Sequence, residues 1–182
     1  MKSRAHLRSQ IEEAWRLSIE EDYVAQRINS ERSLQASVWS NLIRLLPSAT
    51  RRMFIEPCMS VRGDIHTVRY PDLVVCNTRE VIGIIELKYQ PRSRPSWEKD
   101  ISTFQWINEN RSVISVSNDR FRGVSMDARR YPLASQVLYV WAGVHSSFDI
   151  RIADHVNADL RQFFLALHAE TGRSGKPKIK PE

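Results

Sequence analysis

The chain of 182 residues has few lysines, few cysteines and no long apolar run. Arginine supplies 21 of its 27 positive charges and lysine only 6. Between residues 3 and 175 the only lysines are Lys88 and Lys99, so a lysine in the body of this chain is unusual. Crossing a membrane takes about 18 consecutive apolar residues. Because no such run occurs, we expect no membrane partner.

Other common signatures are also missing. The two cysteines, Cys58 and Cys76, are far apart and form no CxxC pair, which indicates neither a disulfide framework nor a thiolate zinc site. The five histidines show no HxxxH or HxH spacing, and no GxxxxGK[ST] loop occurs. No apolar segment follows the basic N-terminus, as a signal peptide would require. We therefore expect a cytoplasmic protein with reduced thiols.

The composition is that of an ordinary globular domain. Hydrophobic residues make up 42% and charged residues 26% of the chain. The length predicts one domain over residues 1–171, followed by a small, basic and disordered tail at 172–182. The net charge of +6 permits a nucleic-acid partner without requiring one.

Hydrophobic periodicity predicts an α/β domain. The helices predicted are at 6–28, from the N-cap Ser30 to about 46, at 97–108 after the N-cap Ser96, and at 154–169. The strands predicted are at 53–61, with a break at Pro57, at 70–76, at 81–89 and at 136–144, the last being central and buried. This order predicts a central mixed β-sheet flanked by helices.

The second and third predicted strands form a hairpin, because a polar turn at 77–80 separates them. Side chains alternate along a strand, so Glu86 and Lys88 project from one face. A hairpin centred on Arg79 places Asp72 directly opposite Glu86, with their Cβ atoms within about 5.5 Å. A register shift of one residue would break this arrangement.

Two carboxylates facing each other repel, and a divalent cation between them removes the repulsion. Mg²⁺ is typically held by one or two carboxylates and keeps several waters, so Asp72 and Glu86 are candidate ligands of Mg²⁺ or Mn²⁺. The ammonium of Lys88 could orient a water and offset charge that develops on a phosphate. Glu31 lies one turn back along the apolar stripe of the second helix. It either faces this site or stabilises the first helical turn through the helix dipole.

The segments Pro71-Asp72 and Glu86-Leu87-Lys88 resemble the signature of the PD-(D/E)XK nuclease superfamily, which has the restriction-endonuclease-like fold. The order of elements predicted from about residue 30 to 144 is similar to the αβββαβ core of that superfamily. An extra N-terminal helix and a C-terminal helix would lie outside this core.

The resemblance implies a role for each motif residue. Asp72 and Glu86 would bind Mg²⁺, and Lys88 would assist the attacking water. The backbone carbonyl of Leu87 would complete the metal shell. Glu31 would add a further carboxylate, acting on the metal through a water.

The function implied is that of a metal-dependent endonuclease, which hydrolyses phosphodiester bonds by a metal-activated water. DNA is favoured over RNA as the substrate, and a homodimer or a larger complex is compatible with this function. Two alternatives stay open: a catalytically silent nuclease-like fold that binds nucleic acid or protein, and an α/β protein with no nucleic-acid role.

Further candidates flank the motif. Arg92 and Arg94 could bind phosphates from a loop beside the site, although a solvated loop explains them equally well. Lys99 and Gln105 lie on the next helix and could contact nucleic acid or simply face solvent. The arginines at 120, 122, 129 and 130 invite the same interpretation with less positional support.

Overall fold

The structure is a computed structural model that describes residues 2–61, 67–117, 130–146, 149–172 and 176–182. The helices are α1 (Lys2–Leu17), a π-helical turn (Ser18–Tyr23), α2 (Glu31–Leu45), α3 (Glu98–Glu109), a 3-10 turn (Ile152–His155) and α4 (Ala158–Arg161). The strands are β1 (Arg52–Ile55), β2 (Met59–Val61), β3 (Val68–Arg69), β4 (Leu73–Cys76), β5 (Val81–Gln90), β6 (Ile114–Ser117), β7 (Arg130–His145), β8 (Phe164–Glu170) and β9 (Lys178–Pro181). None of the described helices is long and apolar enough to cross a membrane.

The strands form one mixed sheet with the order β1-β4-β5-β7-β6-β2-β3, and β8 and β9 extend it from β7. The β5–β7 and β7–β8 pairs are parallel, and the remaining pairs are antiparallel. Helices cover the sheet, so the prediction of a mixed sheet flanked by helices is confirmed at this level. The long β7 is the central strand, as its apolar sequence predicts.

Strand alternation divides the core into two layers. Residues such as Val75, Ile85 and Val140 face α1 and α2, whose stripe includes Trp15 and Leu34. Their neighbours along each strand, such as Val74, Ile84 and Tyr139, face α3, which contributes Ile101 and Phe104. Every second residue of β4 and β5 therefore lies on the α3 face of the sheet. This face also carries Glu86 and Lys88.

The register of the β4–β5 hairpin agrees with the sequence prediction. Leu73 pairs with Ile85, Val74 with Ile84, and Val75 with Gly83. The register shifts only between Val75 and Cys76, next to the turn. At the other end of the hairpin, the regular pairing places Asp72 opposite Glu86.

Side-chain capping explains where α2 begins, whereas α3 begins without a side-chain cap. Ser30 and Ser33 form a capping box in which each side chain accepts a hydrogen bond from the other residue's backbone N–H, so the predicted cap of α2 is confirmed. The predicted cap of α3 is wrong by one residue, because Trp97 occupies that position. The N–H of Ser96 instead donates to the side chain of Gln90 at 2.7 Å.

The C-terminal helix predicted at 154–169 is wrong. A 3-10 turn and the short α4 occupy its first part, and its last part is strand β8, parallel to β7. The stripe at Val156, Leu160, Phe163 and Leu167 has the helical period, but Phe164, Leu165, Ala166 and Ala169 are also apolar. All seven residues of β8 are buried, which fits a strand covered on both faces rather than an amphipathic helix.

The disordered tail predicted at 172–182 is also wrong for its described part. Strand β9 pairs antiparallel with β8, and Lys180 forms a 2.8 Å ion pair with the buried carboxylate of Glu170. The first strand predicted at 53–61 is likewise two strands: β1 joins β4, whereas β2 joins β6 on the far side of the sheet. Pro57 lies between them, where the sequence places a break.

Gly143 supports the core of the α3 face and generates a prediction. The indole ring of the buried Trp141 lies over Gly143, so an alanine methyl group would overlap the ring. The ring cannot shift freely because its Nε1–H donates to Asp100 at 3.1 Å. We expect Gly143→Ala to lower the free energy of unfolding by about 1–3 kcal/mol, measured by thermal and urea unfolding.

Gly83→Ala is the matched control. Its methyl group would lie 3.3 Å from Leu7 Cδ2, a contact that a small shift of the leucine relieves. We expect a clearly smaller loss of stability for this variant. Equal melting temperatures for the two variants would contradict the packing described for Trp141.

Candidate active site

The carboxylates and the lysine of the motif lie together in one cleft of about 400 Å³ at the end of the β4–β5 hairpin. The cleft opens on the α3 face of the sheet. Its lining comprises Glu31, Val68, Arg69, Tyr70, Asp72, Glu86, Lys88, Lys99, Asp100, Ser102 and Thr103. All four residues predicted to act through their side chains are among them, although their roles stay predictions.

Asp72 accepts hydrogen bonds from two elements, one at its side chain and one at its backbone carbonyl. Its Oδ2 accepts a 2.6 Å hydrogen bond from the backbone N–H of Leu87 on β5. The side chain of Gln35 on α2 donates to the backbone carbonyl of Asp72 at 3.1 Å. The carboxylate therefore spans the hairpin and is fixed relative to Glu86.

Glu86 is only 9% exposed and lies beside Asp72 on the same face. Burial raises the pKa of Glu86 well above its ordinary value, and the neighbouring carboxylates of Asp72 and Asp100 raise it further. Burial also raises the pKa of Asp72, although its hydrogen bond from the Leu87 amide opposes the shift. Without a cation, the pair favours a state that keeps a proton.

This donor set fits a hard divalent cation. Asp72 and Glu86 offer carboxylate oxygens only, and Mg²⁺ prefers oxygen ligands and keeps several of its waters. In the described part of the chain, no group of three or more histidine, cysteine, aspartate or glutamate side chains is arranged to hold a metal. A cation here would therefore depend on the two carboxylates, a backbone oxygen such as that of Leu87, and water.

Lys88 is held in the cleft by two carboxylates. Its Nζ lies 3.4 Å from Asp100 Oδ2 and 3.9 Å from Glu31 Oε2, and its side chain is 18% exposed. Burial opposes the charged form, but the attraction of Asp100 and Glu31 is stronger and raises the pKa of Lys88. Lys88 is therefore a fixed ammonium group at neutral pH.

Glu31 reaches the site from the first turn of α2. Its Oε2 accepts a hydrogen bond from the backbone N–H of Tyr89 at 3.2 Å, and its side chain is 47% exposed. The contact ties the start of α2 to the end of β5. Glu31 thus has a structural role in addition to the metal-related role that the resemblance implies.

The residues predicted to bind nucleic acid do not lie together in one cleft. Lys99 lines the carboxylate cleft, whereas Gln105 is not among the lining residues. Arg92 lines a neighbouring cleft, and the Arg94 guanidinium stacks 4.8 Å above the ring of Trp97. Arg130 begins β7, paired with Ser117. The arginines at 120, 122 and 129 lie outside the described residues.

Sequence reasoning missed Asp100, which the structure places in the cleft. Its Oδ2 binds Lys88 and also accepts the hydrogen bond from Trp141 Nε1. The signal was present: Asp100 lies three residues after Trp97 and four before Phe104, and both are on the inward face of α3. Gln35 was missed in the same way. Its position one turn after Glu31 on α2 was the available signal.

No protein-family model and no curated protein matches the chain. Among solved structures, it is similar to the P. aeruginosa ATCC27853 protein described as NucC in its cAAA-bound form. The identity is 11% and the TM-score is 0.39, with 100% of this chain and 83% of that chain covered. A likeness this weak carries no argument about fold or activity, so the site is interpreted from its own residues.

In the absence of metal, the buried carboxylate pair should lower the free energy of unfolding, compared with a variant in which one of the two side chains is neutral. Because Glu86 has a raised pKa in the fold, the folded state binds a proton that the unfolded chain releases. Stability in EDTA should therefore fall as pH rises from the ordinary glutamate pKa to the raised value. At pH 7, we expect Glu86→Gln to raise the free energy of unfolding by about 1–2 kcal/mol, measured by urea unfolding in EDTA.

In Mn²⁺, the wild type should instead be more stable than Glu86→Gln. A cation that binds the native pair stabilises the wild type in proportion to its occupancy, whereas Glu86→Gln should show little shift in melting temperature. Glu80→Gln, at the turn of the same hairpin, is the matched control and should respond to Mn²⁺ like the wild type. A wild type that is insensitive to Mn²⁺ and Mg²⁺ would contradict the metal assignment.

Proposed function

We propose that this chain is a metal-dependent nuclease with a restriction-endonuclease-like core, which hydrolyses phosphodiester bonds of nucleic acid, DNA in preference to RNA. The observation that carries the proposal is the buried carboxylate pair of Asp72 and Glu86 with the charged Lys88 beside it. A buried carboxylate pair lowers the stability of a fold, so its presence in an open cleft favours a functional role.

Asp72 and Glu86 are the residues that would hold Mg²⁺ or Mn²⁺. The Leu87 carbonyl and, through a water, Glu31 are further oxygens expected to contribute. When bound, such a cation supplies Lewis-acid chemistry, which lowers the pKa of water and stabilises charge on a phosphate. The hydrogen bond from the N–H of Leu87 already orients the Asp72 carboxylate for binding the cation.

Lys88 acts as a hydrogen-bond donor and a positive charge. Because its pKa is raised, it does not take a proton from water near neutral pH. Its N–H groups can orient an attacking water and offset the charge that builds on the phosphate oxygens. Asp100 positions Lys88, and the indole of Trp141 holds Asp100 in place.

The charge of the cleft supports a role for the cation in binding the phosphate that is cleaved. Its described lining carries four carboxylates (Glu31, Asp72, Glu86 and Asp100) against three cationic side chains (Arg69, Lys88 and Lys99). The formal balance is negative when both carboxylates of the pair are ionised and zero when the pair keeps one proton, so the metal-free cleft has no net attraction for a phosphodiester. A divalent cation makes the balance positive, and Arg69 and Lys99 can then contact backbone phosphates.

The proposal is tested by incubating purified protein with plasmid, linear duplex and single-stranded DNA, and with RNA, in Mg²⁺ or Mn²⁺. We expect cleavage that EDTA stops and that Glu86→Ala nearly abolishes. Lys88→Ala should lower the rate about 10²–10³-fold, as loss of a group that stabilises the transition state does. Lys178→Ala is the matched control. It removes an exposed lysine of strand β9 that does not line the carboxylate cleft, so this variant should cleave normally.

Two results would contradict the proposal. Equal cleavage by the wild type and Glu86→Ala would indicate contamination or a different site. No cleavage together with no binding of Mg²⁺ or Mn²⁺ by calorimetry would favour the catalytically silent module instead.

A further inference from the structure

A second cleft, of about 850 Å³, lies at the same end of β5 as the carboxylate cleft. This volume is within the range of sites that hold a nucleotide-sized molecule. The residues that line it are Tyr23, Val24, Gln26, Ile28, Asn29, Tyr89, Pro91, Arg92, Lys176 and Pro177. The proposed reaction uses none of them.

The lining combines aromatic rings with positive charge. Tyr23 and Tyr89 supply two half-buried rings, and Arg92 and Lys176 supply two exposed cations. The lining residues that the structure describes include no carboxylate. The cleft is therefore formally positive, in contrast to the acidic cleft beside it. Rings on which a base can stack, next to cations that bind phosphate, are typical of sites for single-stranded nucleic acid.

The two tyrosines are held in a defined arrangement. Their ring centroids are 6.3 Å apart with an angle of 63° between the planes, and the Tyr89 hydroxyl donates to the backbone carbonyl of Ile28 at 3.1 Å. Gln26, on the same wall, has a φ of 60°, a left-handed conformation that is costly for a residue other than glycine. The wall is thus built at some energetic cost, which favours a functional role.

The two clefts lie on opposite faces of the sheet at the end of β5. Lys88 and Tyr89 are neighbours on β5, so Lys88 projects into the carboxylate cleft and Tyr89 into the second cleft. Glu31 lies between them, since it accepts the Tyr89 N–H and approaches the Lys88 ammonium. A nucleic-acid strand that runs round the end of β5, past Glu31, would therefore meet both clefts.

The C-terminal segment completes the second cleft. Pairing of β9 with β8 fixes residues 178–181, and this brings the preceding Lys176 and Pro177 to the cleft. A disordered tail would not place a cation there.

We propose that the second cleft binds an unpaired nucleotide of the substrate strand, with its base against Tyr23 and Tyr89 and its phosphates at Arg92 and Lys176. The inference rests on the proposed nuclease function and narrows its substrate to single-stranded DNA or a single-stranded end. A base inside a duplex could not reach the rings.

The test measures binding separately from cleavage. Fluorescence anisotropy in EDTA compares a labelled oligothymidylate with a duplex of equal length. Tyr23→Leu removes the ring but keeps an apolar side chain, and it should weaken binding of the single strand about tenfold with little effect on the duplex. Tyr23→Phe keeps the ring and should bind like the wild type. Arg92→Gln should reduce the salt dependence of log K by about 0.7.

The Mn²⁺-dependent shift in melting temperature checks that each variant keeps the fold and the carboxylate site. Wild-type binding by a folded Tyr23→Leu, or an equal loss for both DNA forms, would overturn the inference and leave the nuclease proposal intact. Cleavage unaffected by Glu86→Ala would overturn the nuclease proposal instead, while loss of single-strand binding in Tyr23→Leu would still support the nucleotide cleft.

Discussion

The hydrogen bond from the Leu87 N–H to the Asp72 carboxylate is the contact on which the site depends. It joins the start of β4 to the end of β5, and at 2.6 Å it fixes the carboxylate against its partner strand. Glu86 is consequently held beside Asp72 in a largely dry position, where both carboxylates have raised pKa values. A divalent cation is the simplest group that removes the repulsion between the two carboxylates.

The rest of the cleft is organised around this pair through a chain of polar contacts. Lys88 binds Asp100 on α3, and Asp100 accepts a hydrogen bond from Trp141 on the central strand β7. Glu31 links the same end of β5 to the first turn of α2. Elements from both faces of the sheet therefore meet where β5 ends: α2 supplies Glu31, and α3 supplies Lys99 and Asp100. The ammonium of Lys88, which is a compact point charge, lies between the carboxylates of Asp100 and Glu31 at this junction.

The local parts of this site could be predicted from the sequence, because they depend on short-range geometry. The turn at 77–80 closes the hairpin with Cys76 opposite Val81, and the register shift between Val75 and Cys76 then gives the pairing that places Asp72 opposite Glu86. The register predicted for a hairpin centred on Arg79 therefore agrees with the structure beyond this shift, although the shift itself was not predicted. The contribution of α3 was not predicted from its apolar stripe, because such a stripe is identified from hydrophobic residues and Asp100 is a charged residue at a buried position between Trp97 and Phe104. Strands β8 and β9 were missed because their formation depends on pairing with β7 and on the Glu170–Lys180 ion pair, contacts between elements that helical periodicity does not reveal.

The central claim is that Asp72 and Glu86 together hold a divalent cation. The most direct measurement is a crystal structure of the protein soaked with Mn²⁺, with anomalous data collected near the manganese absorption edge. We expect one anomalous peak within bonding distance of a carboxylate oxygen of each residue, and its loss in Glu86→Gln. A fully occupied peak elsewhere, with the Asp72–Glu86 pair still free of metal, would contradict it.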